Sequence, residues 1–221
     1  SGGQTMNNVS QKQEKIYFGL DISQKTIEIF ALKGEKGVSF GKIPNNQESL
    51  TEFFSQIPVK PETITVALET GTHSAWISRL LESRGYEVIV AHARDLAFIY
   101  KGDKKSDRID AEKLARMARA DKKLLHPIKV IDKKRQEDLL AIKARDLLVK
   151  QRTGIVNAIR GFLRSMGIDD STYSHEVIND IYSELPKEIQ ENLRGLFSAL
   201  TAIDNNIKEY DKRIRKIAKD Y

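Results

Sequence analysis

The sequence predicts an α/β domain built on a mixed β-sheet, followed by an all-α region. Two observations lead to this fold class. Short apolar segments alternate with amphipathic ones between residues 15 and 125, whereas only helical periodicity remains beyond that point. The first apolar segments are joined by short hairpin connections, and the later ones are continuous runs typical of buried parallel strands. We therefore expect domains at 15–125 and 126–221, after an aperiodic polar tail at 1–14.

The first part of the predicted sheet is an antiparallel meander. Three segments rich in β-branched and aromatic residues follow one another, namely IYFGLD (16–21), TIEIFALK (26–33) and GVSFGKI (37–43). Their connections are short enough for hairpins. In the second segment Ile27 and Ile29 flank the charged Glu28, and this alternation predicts a strand with one buried face. A helix is expected next, at about 47–56.

The remaining strands are expected to be parallel. TITVALE (63–69) and YEVIVA (86–91) are nearly continuous apolar runs, typical of strands covered on both faces. The helix between them is expected to turn four side chains inward, those of Ala75, Trp76, Leu80 and Leu81. A short helix at about 94–100 and a charged loop then lead to a strongly helical segment at 107–120. Antiparallel strands followed by parallel strands with crossover helices are the layout of a ribonuclease-H-like domain.

Helices account for the rest of the chain, at about 132–166, near 174–183 and at 186–219. The last helix carries apolar residues every seven positions: Ile189, Leu196, Ile203, Tyr210 and Ile217, with Leu193, Leu200, Ile207, Ile214 and Tyr221 in the complementary row. In the earlier long helix Arg145 and Arg152 interrupt the second row. This pattern predicts an antiparallel coiled-coil hairpin, an intersubunit coil, or both.

Composition excludes several classes of protein. The 221 residues include no cysteine, which excludes disulfide scaffolds, Cys-ligated zinc, iron–sulfur clusters and thiol catalysis. No apolar run approaches the roughly 20 residues that span a bilayer, so we expect a soluble cytoplasmic protein without a membrane partner.

The net charge of +6 is concentrated in residues 101–166, which hold 19 basic and 9 acidic residues. A concentrated basic segment is typical of a nucleic-acid contact surface, but for charge alone a solvated helix face is the simpler explanation.

Four acidic residues lie where chain geometry could bring them together. Asp21 ends the first predicted strand, Glu69 ends the central one, and Asp107 and Asp110 open a helix on which they share a face. Carboxylate oxygens suit Mg²⁺ or Mn²⁺, and a divalent ion would relieve the repulsion among them. The three aspartates also have a structural explanation, because aspartate is favoured in turns and at helix N-termini. Glu69 is harder to explain in this way, because an unpaired acid after an apolar strand would be costly if buried. No histidine pair has metal-ligand spacing.

Three segments together resemble a known family. GLDISQKTIEIFAL, ALETGTHSAWISRLLESRGYEVIVAHA and KGDKKSDRIDAEKLARMAR are similar to segments of the DEDD transposases of bridge-RNA-guided insertion sequences, a group that includes the pilin-gene DNA invertases. The resemblance covers roughly residues 15–166, and KSDRIDA is its most specific motif. It implies a RuvC-like ribonuclease H fold in a bacterial or archaeal protein. It also implies that Asp21, Glu69, Asp107 and Asp110 bind Mg²⁺ at a DNA-cleavage centre.

The resemblance implies partners as well. Family members carry a further domain whose serine attacks DNA, a structured guide RNA that selects the DNA sites, and subunits that assemble as dimers or tetramers. The chain ends at Tyr221 within the predicted coil, and no serine lies in a matching context. We therefore expect a fragment that cannot complete strand exchange by itself.

The basic residues supply candidate phosphate contacts for RNA or DNA. They are Lys101, Lys104, Lys105, Arg108, Arg116 and Arg119 around the predicted acidic helix, and Lys143, Arg145, Lys150, Arg152, Arg160 and Arg164 on the long helix. Two other functions remain open. One is a non-catalytic nucleic-acid-binding or assembly module. The other is an ATPase or sugar kinase on a similar core, which would need a second glycine-rich phosphate loop that the sequence does not show.

Overall fold

A computed structural model of the chain describes residues 14–92, 107–169 and 178–221. The chain divides into two compact units, with the boundary between Val130 and Ile131. The boundary lies five residues beyond the expected one because the backbone after residue 125 still pairs with the sheet of the first unit. Pro127 forms a β-bridge with Ala91, and the Ile128 N–H donates to the Val90 carbonyl.

The first unit is a mixed five-stranded sheet with helices, which confirms the predicted α/β class. Its strands are β1 (Ile16–Ile22), β2 (Thr26–Lys33), β3 (Lys36–Pro44), β4 (Ile64–Glu69) and β5 (Glu87–Ala91). Its helices are α1 (Gln47–Ser55), α2 (Ser74–Glu82) and α3 (Asp107–Ala120). The strand order is β3-β2-β1-β4-β5, with antiparallel pairing among the first three and parallel pairing of β4 with β1 and β5. The helix expected at about 94–100 lies outside the described residues.

The main core lies on the sheet face that α1 and α2 cover. Its fully buried members include Phe18, Leu20, Ile29, Phe54 and Ile77. The predicted inward face of α2 was partly wrong. Leu81 is buried as expected, but its buried neighbours are Ser74, Ile77 and Ser78, whereas Ala75, Trp76 and Leu80 are only partly buried.

The opposite sheet face is covered by α3. Phe30 and Leu32 of β2 form a second apolar cluster with Ala111 and Ala115 of this helix. Residues 27–32 are therefore all buried, and the prediction that β2 has only one buried face was wrong. Alternation along the strand separated the two faces correctly, but it could not reveal that a helix about 80 positions later covers the face with Glu28, Phe30 and Leu32.

Gly19 lets α3 come close to β1. A Cβ atom at this position would lie 1.9 Å from the carbonyl oxygen of Ala111 and 2.8 Å from the backbone nitrogen of Ala115. Only a residue without a side chain fits such an approach of backbone to backbone. The small side chains of Ala111 and Ala115 allow the same approach from the helix side.

Ion pairs also hold α3 to the β2–β3 hairpin. Near its C-terminal end, the Arg119 guanidinium donates to the Gly34 carbonyl at 2.5 Å and to Glu35 Oε1 at 2.7 Å. The hydrogen bond and the charge of Arg119 lower the pKa of Glu35. At its N-terminal end, Asp107 accepts a hydrogen bond from Lys42 at 2.5 Å.

The second unit is an antiparallel helical hairpin. Its helices are α4 (Lys133–Ser165) and α5 (Lys187–Ile217). Of the short helix expected near 174–183, residues 174–177 lie outside the described residues, and Ile178–Glu184 forms a 3₁₀ helix. Its core includes Val156, Ile159, Leu163, Leu193 and Leu200. The pairing occurs within one chain, and the intersubunit coil stays a prediction. Within the described ranges, none of the helices is both long enough and apolar enough to cross a membrane.

Glu87, at the start of β5, accepts several hydrogen bonds. Its carboxylate accepts from Lys15 at 3.0 Å, from Thr65 at 2.7 Å and from Lys122. Burial raises the pKa of Glu87, but the hydrogen bonds from Lys122, Thr65 and Lys15 outweigh this effect and lower it to about 2. The carboxylate thereby links the start of β5 to Lys15, just before β1, to β4 and to the turn after α3.

Replacing Gly19 by alanine is expected to lower the free energy of unfolding of the first unit by about 3 kcal/mol, because the new methyl group collides with the α3 backbone. Urea denaturation followed by the fluorescence of Trp76, the chain's single tryptophan, measures this unit. Gly71→Ala is the control, since a Cβ atom there meets nothing within 4 Å. Equal losses in the two variants would contradict the close approach.

Glu87→Gln is expected to lower the free energy of unfolding at pH 7 by about 1 kcal/mol, a value that allows for solvent screening of a half-exposed carboxylate. The native pKa of about 2 lies below the ordinary 4.5. The stabilisation is therefore fully present above pH 4.5 and disappears as the pH falls towards 2. Urea denaturation at pH 7, 4 and 3 should show the difference between wild type and variant shrinking, with exposed Glu62→Gln as control. A difference independent of pH would contradict this account.

Candidate functional site

Asp21 and Glu69 lie side by side at the carboxyl ends of two neighbouring parallel strands. Leu20 of β1 is in register with Leu68 of β4, so the two acids occupy the next positions along their strands. Both are half-buried, and both line a cleft of about 540 Å³. The structure thus brings together two of the four predicted acids. Parallel strands place their carboxyl ends at one sheet edge, which is where open α/β sheets bind ligands.

The rest of the cleft wall comes from the two loops that follow these strands, residues 22–24 and 70–74. His73 belongs to this wall, and its Nδ1 accepts a hydrogen bond from Trp76 Nε1 at 3.3 Å. Neutral imidazole therefore carries its proton on Nε2. Ser74 Oγ accepts from the Gly71 N–H at 3.2 Å and donates to the Gly71 carbonyl at 2.8 Å, which closes the loop at the start of α2.

Asp107 and Asp110 lie in the first turn of α3. Asp107 is exposed and Asp110 is half-buried. Because side chains alternate along a strand, Asp21 lies on the same sheet face as Gly19, the residue against which α3 packs. All four predicted acids therefore lie on this side of the sheet. One of them, Asp107, contacts Lys42.

Two charged residues that sequence reasoning missed adjoin this site. Glu28 of β2 is the cross-strand partner of Asp21, and Lys42 of β3 is the cross-strand partner of Glu28. Glu28 is only 7% exposed and accepts a long hydrogen bond from Ser39 Oγ at 3.4 Å. The hydrogen bond and charge of Asp107, with smaller contributions from Glu28 and Asp21, raise the pKa of Lys42. The hairpin register could have identified Glu28, because the short turn after β1 aligns it with Asp21.

The donor chemistry of this site suits Mg²⁺ or Mn²⁺, since every candidate ligand is a carboxylate oxygen. The positions of these side chains suit a bound ion less well than their chemistry does. Among the residues in the described ranges, no three acidic or histidine side chains are close enough together to hold one metal. Asp21 and Glu69 line the cleft, whereas Asp107 is paired with Lys42. The side chains are those of a metal site, but they are not gathered around a common point.

The predicted basic residues near α3 have different surroundings. Lys101, Lys104 and Lys105 lie outside the described residues. Arg108 is exposed beside Asp107. Arg116 pairs with Glu112 one helical turn earlier, at 2.7 Å, and Arg119 anchors α3 to the β2–β3 turn.

On α4 the predicted basic residues separate onto opposite faces. Lys143, Lys150 and Arg164 are exposed and lie at multiples of seven residues. Arg145 and Arg152 point towards α5, where they pair with Asp211 at 2.6 Å and with Asp204 respectively.

The Arg152–Asp204 pair is mostly buried, with side chains 17% and 21% exposed. Asn179 also donates to Asp204, at 3.2 Å. The hydrogen bond to Asp211, and then the charge of Asp211, raise the pKa of Arg145. Arg160 is half-buried on the same helix. The arginines that interrupt the heptad row thus form ion pairs between the two helices of the hairpin.

In comparisons with known proteins, the chain is similar to transposases. A family model described as transposase, of the DEDD type named for IS110, matches residues 18–168. The chain is 31% identical over 156 residues to a protein of Sinorhizobium fredii named as transposase y4pF/y4sB, an alignment that covers 71% of this chain and 38% of that protein. It is 30% identical over 133 residues to the transposase for insertion sequence element IS1111A of Coxiella burnetii, covering 54% and 34%. The chain therefore spans little more than a third of each relative.

Proposed function

Because the chain belongs to the IS110-type DEDD transposase family, we propose that its first unit is the metal-dependent DNA-cleavage domain of an RNA-guided transposase or site-specific DNA recombinase. One observation carries the proposal: Asp21 and Glu69 share a cleft at the carboxyl ends of adjacent parallel strands. The strand order β3-β2-β1-β4-β5, with three antiparallel strands followed by two parallel ones, supports a ribonuclease-H-like, RuvC-like fold.

The proposed metal ligands are Asp21, Glu69, Asp107 and Asp110, and the proposed ion is Mg²⁺ or Mn²⁺. When bound, such an ion would stabilise the charge that develops on phosphate oxygens during phosphoryl transfer. The chain's own residues supply the cleft in which a phosphate could lie. The His73 Nε2–H, whose position the hydrogen bond from Trp76 determines, is a candidate donor to a phosphate oxygen at the cleft wall.

The proposed macromolecular partners are DNA and a structured guide RNA. The exposed side chains of Lys143, Lys150 and Arg164 recur along one face of α4. A regular series of cations matches a phosphate backbone recognised by its shape, whether in an RNA duplex or in DNA. Among the predicted basic residues that the structure describes, Arg108 in the first turn of α3 and Arg116, which pairs with Glu112, are also exposed.

We further propose that the second unit assembles subunits into a dimer or tetramer. The support is the apolar surface that α4 exposes outside the hairpin core, which includes Leu140, Leu147 and Phe162, each more than half exposed. The later heptad residues of α5, such as Ile207 and Ile214, are also only half-buried by α4. Heptad surfaces with incomplete burial are suited to packing against further helices.

Isothermal titration with Mn²⁺ tests the catalytic proposal. Wild type is expected to bind Mn²⁺, and Glu69→Gln, which removes one anionic ligand from the cleft, is expected to weaken binding at least about tenfold. Glu82→Gln is the matched control, because this glutamate is exposed at the end of α2. Binding that is undetectable in wild type, or equally strong in both variants, would overturn the proposed metal centre.

Binding of labelled RNA and DNA duplexes at several salt concentrations tests the nucleic-acid surface. The double replacement Lys143→Gln/Lys150→Gln is expected to reduce the slope of log affinity against log salt by about 2, because two phosphate contacts are lost. Arg152→Gln is the contrasting variant, since it breaks an ion pair within the hairpin. It should lower the helix melting temperature seen by circular dichroism and leave the slope unchanged. The reverse pattern would show that the inward arginines bind the nucleic acid.

A further inference from the structure

Lys42 brings a positive charge to the acidic end of the sheet. Its Nζ lies 2.5 Å from Asp107 Oδ2. Its strand neighbour is the buried carboxylate of Glu28, and the neighbour of Glu28 in the next strand is Asp21. The ammonium group thus contacts the carboxylate of Asp107 in α3 and feels the charges of Glu28 in β2 and Asp21 in β1.

This arrangement explains why the predicted metal ligands are not gathered. Asp107 and Asp21 belong to the same sheet face, yet Asp107 is paired with a side chain from β3. A compact acidic cluster is unstable without a compensating positive charge, because its members repel one another. In the arrangement seen here, Lys42 provides that charge.

We propose that Lys42 is a built-in competitor of the divalent ion: it neutralises the acidic cluster when no metal is bound, and it must release Asp107 before this residue can join Asp21 and Glu69. The inference rests on the proposed function, since it presupposes that these carboxylates bind a metal. It makes Lys42 a positioning residue that sets how readily the centre assembles.

The surroundings of Lys42 permit such a release. Within the described sheet, β3 is an edge strand with β2 as its neighbour, and the Lys42 side chain is 49% exposed. A long, flexible side chain at an edge can move into solvent without disturbing the core. If the paired form of Asp107 predominates, the measured metal affinity is reduced in proportion to the small fraction of molecules in which Asp107 is available.

A purely structural role for Lys42 gives a different expectation. The ion pair would then be one of two clamps on α3, the other being Arg119 on Gly34 and Glu35 at the opposite end of the helix. Removing either clamp would loosen α3 and weaken metal binding or leave it unchanged. Arg119→Met is therefore the control that separates competition from clamping.

The experiment is titration of Mn²⁺ into the complete 221-residue chain, by calorimetry, for wild type, Lys42→Met, Lys42→Arg and Arg119→Met. Competition predicts that Lys42→Met binds Mn²⁺ about tenfold more tightly than wild type, because the Lys42 ammonium no longer competes with the ion for Asp107. Lys42→Arg keeps the positive charge and should bind no more tightly than wild type. Arg119→Met should not strengthen binding. Trp76-monitored unfolding identifies the folded variants, and Lys42→Gln replaces Lys42→Met if that protein does not fold.

The outcomes distinguish this inference from the function on which it rests. Undetectable Mn²⁺ binding in wild type would overturn the proposed metal centre itself, and the competition with it. Binding that Glu69→Gln abolishes but that Lys42→Met leaves unchanged or weakens would overturn the competition and leave the function intact. Equal strengthening by Lys42→Met and Arg119→Met would also overturn it, because the gain would then arise from a loosened helix.

Discussion

The contact between the β1 backbone at Gly19 and the α3 backbone at Ala111 determines where the acidic residues of the first unit lie. A methyl group at position 19 would occupy the space of the helix carbonyl, so the two elements can meet only through glycine and alanine. This contact brings the first turn of α3, with Asp107 and Asp110, to the sheet face that carries Asp21. The placement of acidic residues that are remote in sequence thus depends on the absence of one side chain.

The same close approach creates an electrostatic problem. Covering the β2 face that carries Phe30 and Leu32 also buries Glu28 beside Asp21, and the α3 N-terminus adds two further carboxylates. Negative charges are stabilised near a helix N-terminus, but several at one place repel one another. Lys42 supplies a compensating charge from the edge of the sheet. The charge balance of this sheet end is therefore shared among β1, β2, β3 and α3, which explains why no single segment of sequence reveals it.

The second unit uses charge differently. Arg145 and Arg152 occur at heptad positions that face α5, where Asp211 and Asp204 match them at the same seven-residue spacing. Such pairs specify the register of two antiparallel helices, because a shift along the axis would leave each charge without its partner. Lys143 and Lys150 are offset by two residues from these arginines, which places them on nearly the opposite side of a helix. One basic helix thereby has a structural face and a surface face.

The local sequence pattern predicted much of the secondary structure of this protein. Apolar runs and turn residues predicted all five strands of the described sheet and the helix at 107–120, because burial and periodicity act within each segment. Asp21 and Glu69 could be placed at strand ends for the same reason. Tertiary structure decided what depends on contacts between distant residues. Only the folded chain shows that α3 covers β2 and buries Glu28, and that Lys42 pairs with Asp107. It also shows that Arg145 and Arg152 form ion pairs with α5, whereas Lys143 is exposed. A periodic sequence identifies the faces of an element, but only the packed chain determines what each face meets.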